Sequence, residues 1–162
     1  LFEANWGDAE VLLVDLPPGT GDVQITMLQK FRPDGAVIVS TPQDLALLDA
    51  RKGINMFKRV NIPILGLVEN MSHFVCPDCG GRHDIFGHGG ARAEAEKLGV
   101  PFLGEVPLAM PIRETSDAGR PVVACEPDGP HAKAYLAIAE GVKAGLEGAG
   151  EQARAAPKIV FE

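Results

Sequence analysis

The stretch Val11-Leu12-Leu13-Val14-Asp15-Leu16-Pro17-Pro18-Gly19-Thr20-Gly21-Asp22 sets an unbroken apolar run directly ahead of an acidic residue and a loop rich in proline and glycine. Three more short apolar runs follow, at Ala36 to Val39, Ile64 to Val68 and Phe102 to Val106. Each is nearly continuous rather than alternating, the pattern of strands buried on both faces in a parallel sheet. Between them the apolar spacing changes to a helical period. Val23, Met27, Leu28 and Phe31 share one face, and Leu47, Ala50, Ile54 and Phe57 share another. The second of these segments has a start signal, with Thr41 as N-cap, Pro42 at the first helical position and Asp44 in the first turn. Ala91 to Leu98, closed by Gly99, reads as a third helix, and Tyr135, Ile138, Val142 and Leu146 mark a fourth. Strands and helices in alternation define an α/β class, with a mostly parallel sheet and helices on both faces.

In such sheets ligands bind beyond the carboxyl ends of the strands. Here those positions hold Asp15, Ser40, Asn70 and Pro107. An acidic residue closing a rigid strand can hold magnesium or its water shell, although apolar runs ending in Asp are common. The loop that follows is more specific. Two prolines restrict it, and Gly19 and Gly21 permit close approach of backbone to a ligand such as a γ-phosphate. Asn70 carries a carboxamide able to donate and accept together, as the edge of an adenine requires, though Asn is also frequent in turns.

Phe74-Val75-Cys76-Pro77-Asp78-Cys79-Gly80-Gly81 holds two cysteines three positions apart, with proline between them and glycine after. That is a metal knuckle, and it supplies half of a four-sulfur site. There is no second C-x-x-C in the sequence, so either His83 and His88 complete the site or a second subunit does. A thioredoxin-like redox pair is disfavoured, because the motif does not open a helix after a strand. The third cysteine, Cys125, lies in the apolar stretch Val122-Val123-Ala124 and reads as packing.

The sequence has 162 residues, 46% of them hydrophobic, enough for one sizeable core. Residues 1–147 read as one domain and 148–162 as a flexible tail, since periodicity fades from Gly145 onward. A formal charge of −7 excludes sequence-independent binding to nucleic acid or to an acidic membrane. No apolar run approaches a membrane span and no signal-peptide pattern is present, so a cytoplasmic location is expected.

Taken in order, these motifs resemble the Mrp/ApbC family of P-loop ATPases that carry iron–sulfur clusters, within the wider group of MinD-like and ParA-like ATPases. The resemblance runs through Trp6-Gly7, the Asp15 to Asp22 loop, Ser40-Thr41-Pro42-Gln43-Asp44, Arg51-Lys52-Gly53, Val68-Glu69-Asn70-Met71-Ser72 and the Cys76/Cys79 knuckle. It continues through Ile85-Phe86-Gly87, Leu103 to Leu108 and Gly119-Arg120-Pro121. It implies a magnesium-linked role for Asp15, a place near the γ-phosphate of ATP for Gly19, and adenine contacts from Asn70 and the loop after Pro107. It further implies that Cys76 and Cys79 bind a [4Fe–4S] cluster shared across a homodimer. The cluster would be received from cluster assembly proteins and passed to apo iron–sulfur proteins, with ATP hydrolysis altering the dimer. Two other readings compete. One is a zinc-clamped, non-catalytic dimerisation module, and the other a MinD-like or ParA-like positioning ATPase.

The resemblance also implies a phosphate loop, G-K-G-G-V-G-K-S-T, ahead of this region, and no G-x-x-x-x-G-K-[ST] occurs in the sequence. The chain therefore reads as the C-terminal part of such a domain. Weak or absent ATP binding by the chain alone is expected, as is a sheet with an open edge prone to self-association.

Overall fold

The computed structural model describes residues 3–17 and 21–154. Their elements run α1 (Asp22–Lys30), β1 (Ala36–Ser40), α2 (Asp44–Arg59), β2 (Ile64–Val75), β3 (Arg82–His83), α3 (Gly90–Leu98), β4 (Phe102–Leu108), α4 (Met110–Asp117), α5 (Val122–Cys125) and α6 (Pro130–Arg154). β1 and β4 flank β2, each parallel to it, and β3 returns antiparallel against the far end of β2. The expected α/β class is the observed one.

The core follows from the helical spacing. Leu47, Ala50, Ile54 and Phe57 of α2 are buried together with Ala36 and Ile38 of β1, Leu67 of β2, and Ala91 and Ala95 of α3. Successive residues of a strand point to opposite faces, and β4 shows that both faces are covered. Arg92 of α3 lies 4.2 Å over the Phe102 ring, whereas a Cβ on Gly141 of α6 would lie 2.9 Å from Leu103 Cδ2. Helices α3 and α6 therefore sit on opposite faces of the sheet.

Several expectations need correction. Val11 to Val14 forms no strand, and its side chains are exposed, Leu13 at 85%. A strand needs a ladder partner, and among the described residues the edge of β1 away from β2 has none. β1 is also not buried on both faces. Its residues alternate, with Val37 and Val39 turned outward, whereas Leu65 to Glu69 of β2 are buried continuously as the apolar runs predict. Among the described residues the sheet is open at the outer edge of β1.

Helix α2 begins at Asp44 with Gln43 as N-cap, not at Thr41. Thr41 Oγ1 is spent on the Gln43 side chain at 3.4 Å, which leaves Thr41 and Pro42 in the preceding loop. The fourth helix runs through Gly145 and Gly148 to Arg154, so the stretch expected as a tail from 148 starts inside α6. Gly145 acts as a contact and not as a break: a Cβ there would lie 3.3 Å from Leu65 Cδ2. Residues 155–162 lie outside the described residues. Cys125 is half-buried in α5, where its thiol donates to Arg120 O at 3.4 Å.

Candidate functional site: a two-thiol hairpin beside the strand ends

β2 continues well past the expected strand end at Glu69. At Asn70 it is interrupted but not terminated. The pairing with β4 slips between Asn70 and Phe74, and Met71 takes a left-handed φ of 54°. The Asn70 side chain supports this kink, because its Oδ1 accepts the Met71 N–H at 2.9 Å. Asn70 pairs with Val106, and Pro107 falls inside β4, within the same slip. A proline has no N–H for a ladder, so an irregular stretch of an outer strand is where it fits. The structure therefore brings Asn70 and Pro107 side by side on neighbouring strands, at a kink and not at strand ends.

Beyond the kink, β2 and β3 form a hairpin, with Phe74 opposite His83 and Val75 opposite Arg82. Cys76 extends the ladder, its N–H donating to Gly81 O at 2.9 Å, and Gly80 N–H donates to Cys76 O at 2.9 Å. Gly80 closes this turn with φ 70°, a conformation that glycine adopts without a Cβ clash. Cys76 and Cys79 are free thiols at the hairpin tip, Cys79 exposed and Cys76 half-buried. The Cys79 N–H, then the Asp78 N–H and the Cys79 thiol, hold the Cys76 thiol below its ordinary range, with burial acting the other way. Backbone N–H groups aimed at a sulfur favour the thiolate, the form that binds metal.

The two histidines are placed differently. A Cβ on Gly81 would lie 3.3 Å from Cys79 Sγ and 3.4 Å from His83 Nε2, so His83 borders the thiol pair. His88 is held away by Arg82 at 3.2 Å and Asp84 at 3.6 Å. Among the described residues, no three or more His, Cys, Asp and Glu side chains are gathered to hold a metal ion. The tip presents two sulfurs.

On the nucleotide side, Asn70 and Pro107 are the residues brought together among the described ones. Asp15 lies on the exposed N-terminal segment, and Gly19 lies outside the described residues. The carboxamide oxygen of Asn70 is engaged locally. No G-x-x-x-x-G-K-[ST] phosphate loop occurs in the sequence.

Sequence reading gives Glu69 and Ser72 no role beyond their place in the motif from Val68 to Ser72, and it passes over Gly90. Glu69 is buried at 1% exposure, and its carboxylate accepts the Ala91 N–H at 2.7 Å, at the start of α3. Ser72, fully buried, donates to Val106 O at 3.2 Å and lies 2.9 Å from His73 Nδ1. Gly90 touches the loop after β1, where a Cβ would come within 2.6 Å of Pro42 O. One signal was available: a charged residue inside the apolar run Leu67-Val68-Glu69 needs a buried partner.

A sheet with parallel strands, helices on both faces and a dithiol hairpin at the far end of its central strand defines an α/β protein. The family model of the ParA type described as NUBPL iron-transfer P-loop NTPase matches residues 1–143, and the chain belongs to that family. It is 54% identical over 147 residues to an iron-sulfur cluster transfer protein NUBPL from Dictyostelium discoideum, covering 91% of this chain and 46% of that protein. It is 51% identical over 141 residues to an iron-sulfur cluster carrier protein from Pseudomonas fragi, covering 86% of this chain and 49% of that protein. Among solved structures, a nucleotide-binding protein from Archaeoglobus fulgidus in complex with ADP matches with a TM-score of 0.66 and 44% identity, over 76% of this chain and 50% of that one. The Pyrococcus furiosus cell division ATPase MinD matches with a TM-score of 0.61 and 28% identity, over 80% of this chain and 50% of that one. The chain thus spans about half the length of the relatives it matches. The resemblance drawn from the motifs is borne out.

Proposed function

We propose that the protein carries a [4Fe–4S] cluster as cargo between two copies of the Cys76/Cys79 hairpin, receiving it from cluster assembly proteins and delivering it to apo iron–sulfur proteins. The observation that carries this reading is the hairpin tip, where two free thiols are accessible and, among the described residues, no group of three or more His, Cys, Asp and Glu is gathered to hold a metal. Two thiolates leave a tetrahedral metal or a cubane cluster under-coordinated, and the same pair from a two-fold-related copy supplies the rest. Ligation releases the thiol protons, and delivery is thiolate exchange: a target's cysteines replace Cys76 and Cys79 without a change in cluster oxidation state. The names of the relatives support a carrier role. We assign the chain to the cytoplasm, where thiols stay reduced; no helix among the described residues is long and apolar enough to cross a membrane. Nucleic acid and membrane are not partners in this reading, in keeping with the acidic charge.

In the whole protein, ATP hydrolysis with Mg2+ would set the state of the dimer. Asp15 would orient the metal's water shell, Gly19 would lie by the γ-phosphate, and Asn70 and Pro107 would border the adenine. These roles require a phosphate loop from elsewhere, and no step of hydrolysis is assigned to this chain alone.

Metal analysis alongside sedimentation tests the carrier reading. Cys76→Ser and Cys79→Ser each lose bound iron and the dimer together, while Cys125→Ser retains both. A monomer that keeps one metal through Cys76, Cys79 and His83 would overturn the shared site. Colourless, zinc-filled dimers that accept no iron would favour the clamp instead.

A further inference from the structure

The segment returning from the cysteine hairpin passes back over the carboxyl end of β1 and the middle of β2 before entering α3. Gly87 and Gly89 take positive φ there, at 100° and 65°. A Cβ on Gly87 would meet Pro42 Cβ at 3.8 Å, and one on Gly90 would lie 2.6 Å from Pro42 O and 2.9 Å from Leu47 Cδ1. The return is therefore pressed onto the loop after β1, with no room for a side chain at Gly90. From below it is held by Glu69. That carboxylate is buried in β2 immediately before Asn70, and it accepts the Ala91 N–H in the first turn of α3. A polar group so deeply buried is costly unless bonded, and the first turn of a helix, whose N–H groups lack intrahelical partners, is a favourable place for an acceptor. The hairpin is thus fixed at both roots, by the β2 ladder at its outgoing strand and by Glu69 and Gly90 at its return.

We propose that Glu69 and Gly90 are positioning residues for the thiol pair. They seat the return segment on the end of β1 and the middle of β2 and so set how Cys76 and Cys79 face their cargo. The assignment rests on the reading of that pair as a metal site. Neither residue touches the sulfurs, and each acts through the path from α3 back to β3. The same contacts join the Asn70 kink and the Pro42 loop to the hairpin by a short run of packed backbone.

The test titrates Co2+ into the full 162-residue chain under reducing conditions and follows the cobalt–thiolate absorption. Wild type shows the thiolate band and Cys76→Ser abolishes it. Glu69→Ala weakens Co2+ binding on the order of tenfold and shifts the ligand-field bands, the scale seen when a residue that orients ligands is lost. Glu69→Gln, which can still accept the Ala91 N–H, restores most of the affinity. Ile54→Val, a core change remote from the hairpin, is the reference for stability loss alone and binds like wild type. Should Glu69→Ala not fold, Gly90→Ala probes the same contact and shifts the bands in the same sense. Unchanged bands and affinity in a folded Glu69→Ala, or in Gly90→Ala, would overturn the positioning role. A wild-type chain without any thiolate band would overturn the metal reading first, and the positioning role with it.

Discussion

Leu65 to Glu69 in β2 and Val11 to Asp15 near the N-terminus are built alike, as four apolar or small residues closed by a carboxylate. They end up in opposite environments. Leu67 has 0% exposure, with β1 on one side and β4 on the other, and Glu69 is bonded to α3. Leu13 is 85% exposed, and among the described residues its segment joins no strand and the outer edge of β1 stays open. An apolar run followed by Asp or Glu thus specifies a strand only where a neighbouring strand offers a ladder and a helix covers the face. Burial comes from that context.

The largest effect expected from this contrast concerns nucleotide. Mg-ATP titrated calorimetrically into the chain alone gives no saturable heat, because Asp15 sits on an unpaired segment and nothing cradles the phosphates. Supplying the strand and phosphate loop of a relative, in fusion or as a second polypeptide, would pair the β1 edge and bring binding to the micromolar range, roughly 8 kcal/mol. Micromolar affinity of the chain alone would break the comparison.

Next in size is a matched pair of truncations. Leu67→Ala costs about 2–5 kcal/mol in urea unfolding, since it removes a fully buried side chain between packed strands. Leu13→Ala stays within about 0.5 kcal/mol. With the relative's strand present, Leu13→Ala should become costly as well. If it stays neutral there, the N-terminal run is no strand in any context.

The same contrast explains what could be read in advance. The α/β class, the faces of α2 and α3 and the thiol knuckle follow from short-range spacing, and spacing is written in the chain. Gly99 ended α3 as read, in a left-handed C-cap. What depended on distant partners was less legible. Val11 to Val14 looked like any other buried strand because nothing local reports a missing neighbour. The continuation of β2 past Asn70 was hidden by a residue that commonly ends strands, yet here props up a kink inside one. β3 has only Arg82 and His83, too short for a periodic signal, and it exists because the knuckle turns the chain back onto Val75. Glu69 lies within a motif that gives it no role and Gly90 lies in none, since what they do depends on α3 and on Pro42.

The smallest expected effect lies between α2 and α3, within the well-packed half of the comparison. Arg51 Nε and Nη2 donate to the two carboxylate oxygens of Glu94 at 2.5 and 2.7 Å, a bidentate pair that ties the helices together. The Arg51 hydrogen bond holds the Glu94 carboxyl below the usual carboxylate range, against the opposing effect of burial, and Glu94 in turn raises the Arg51 guanidinium, which stays charged at every working pH. A carboxyl depressed in the folded state stabilises it fully above the unfolded value, roughly 4.3, and loses that contribution as pH falls through the lower folded value. Urea midpoints measured from roughly pH 6 down to roughly pH 3 should therefore fall more steeply for wild type than for Glu94→Gln, with the two curves converging at the acid end. Leu13→Ala, altered only in the exposed segment, should run parallel to wild type throughout. Because Arg51 is partly solvent-exposed, screening keeps the difference below that of Leu67→Ala, and added salt should narrow it. Parallel curves for wild type and Glu94→Gln would mean that the α2–α3 contact is held by Leu47, Ala91 and Ala95 alone, and that the ion pair only decorates a junction already fixed by packing.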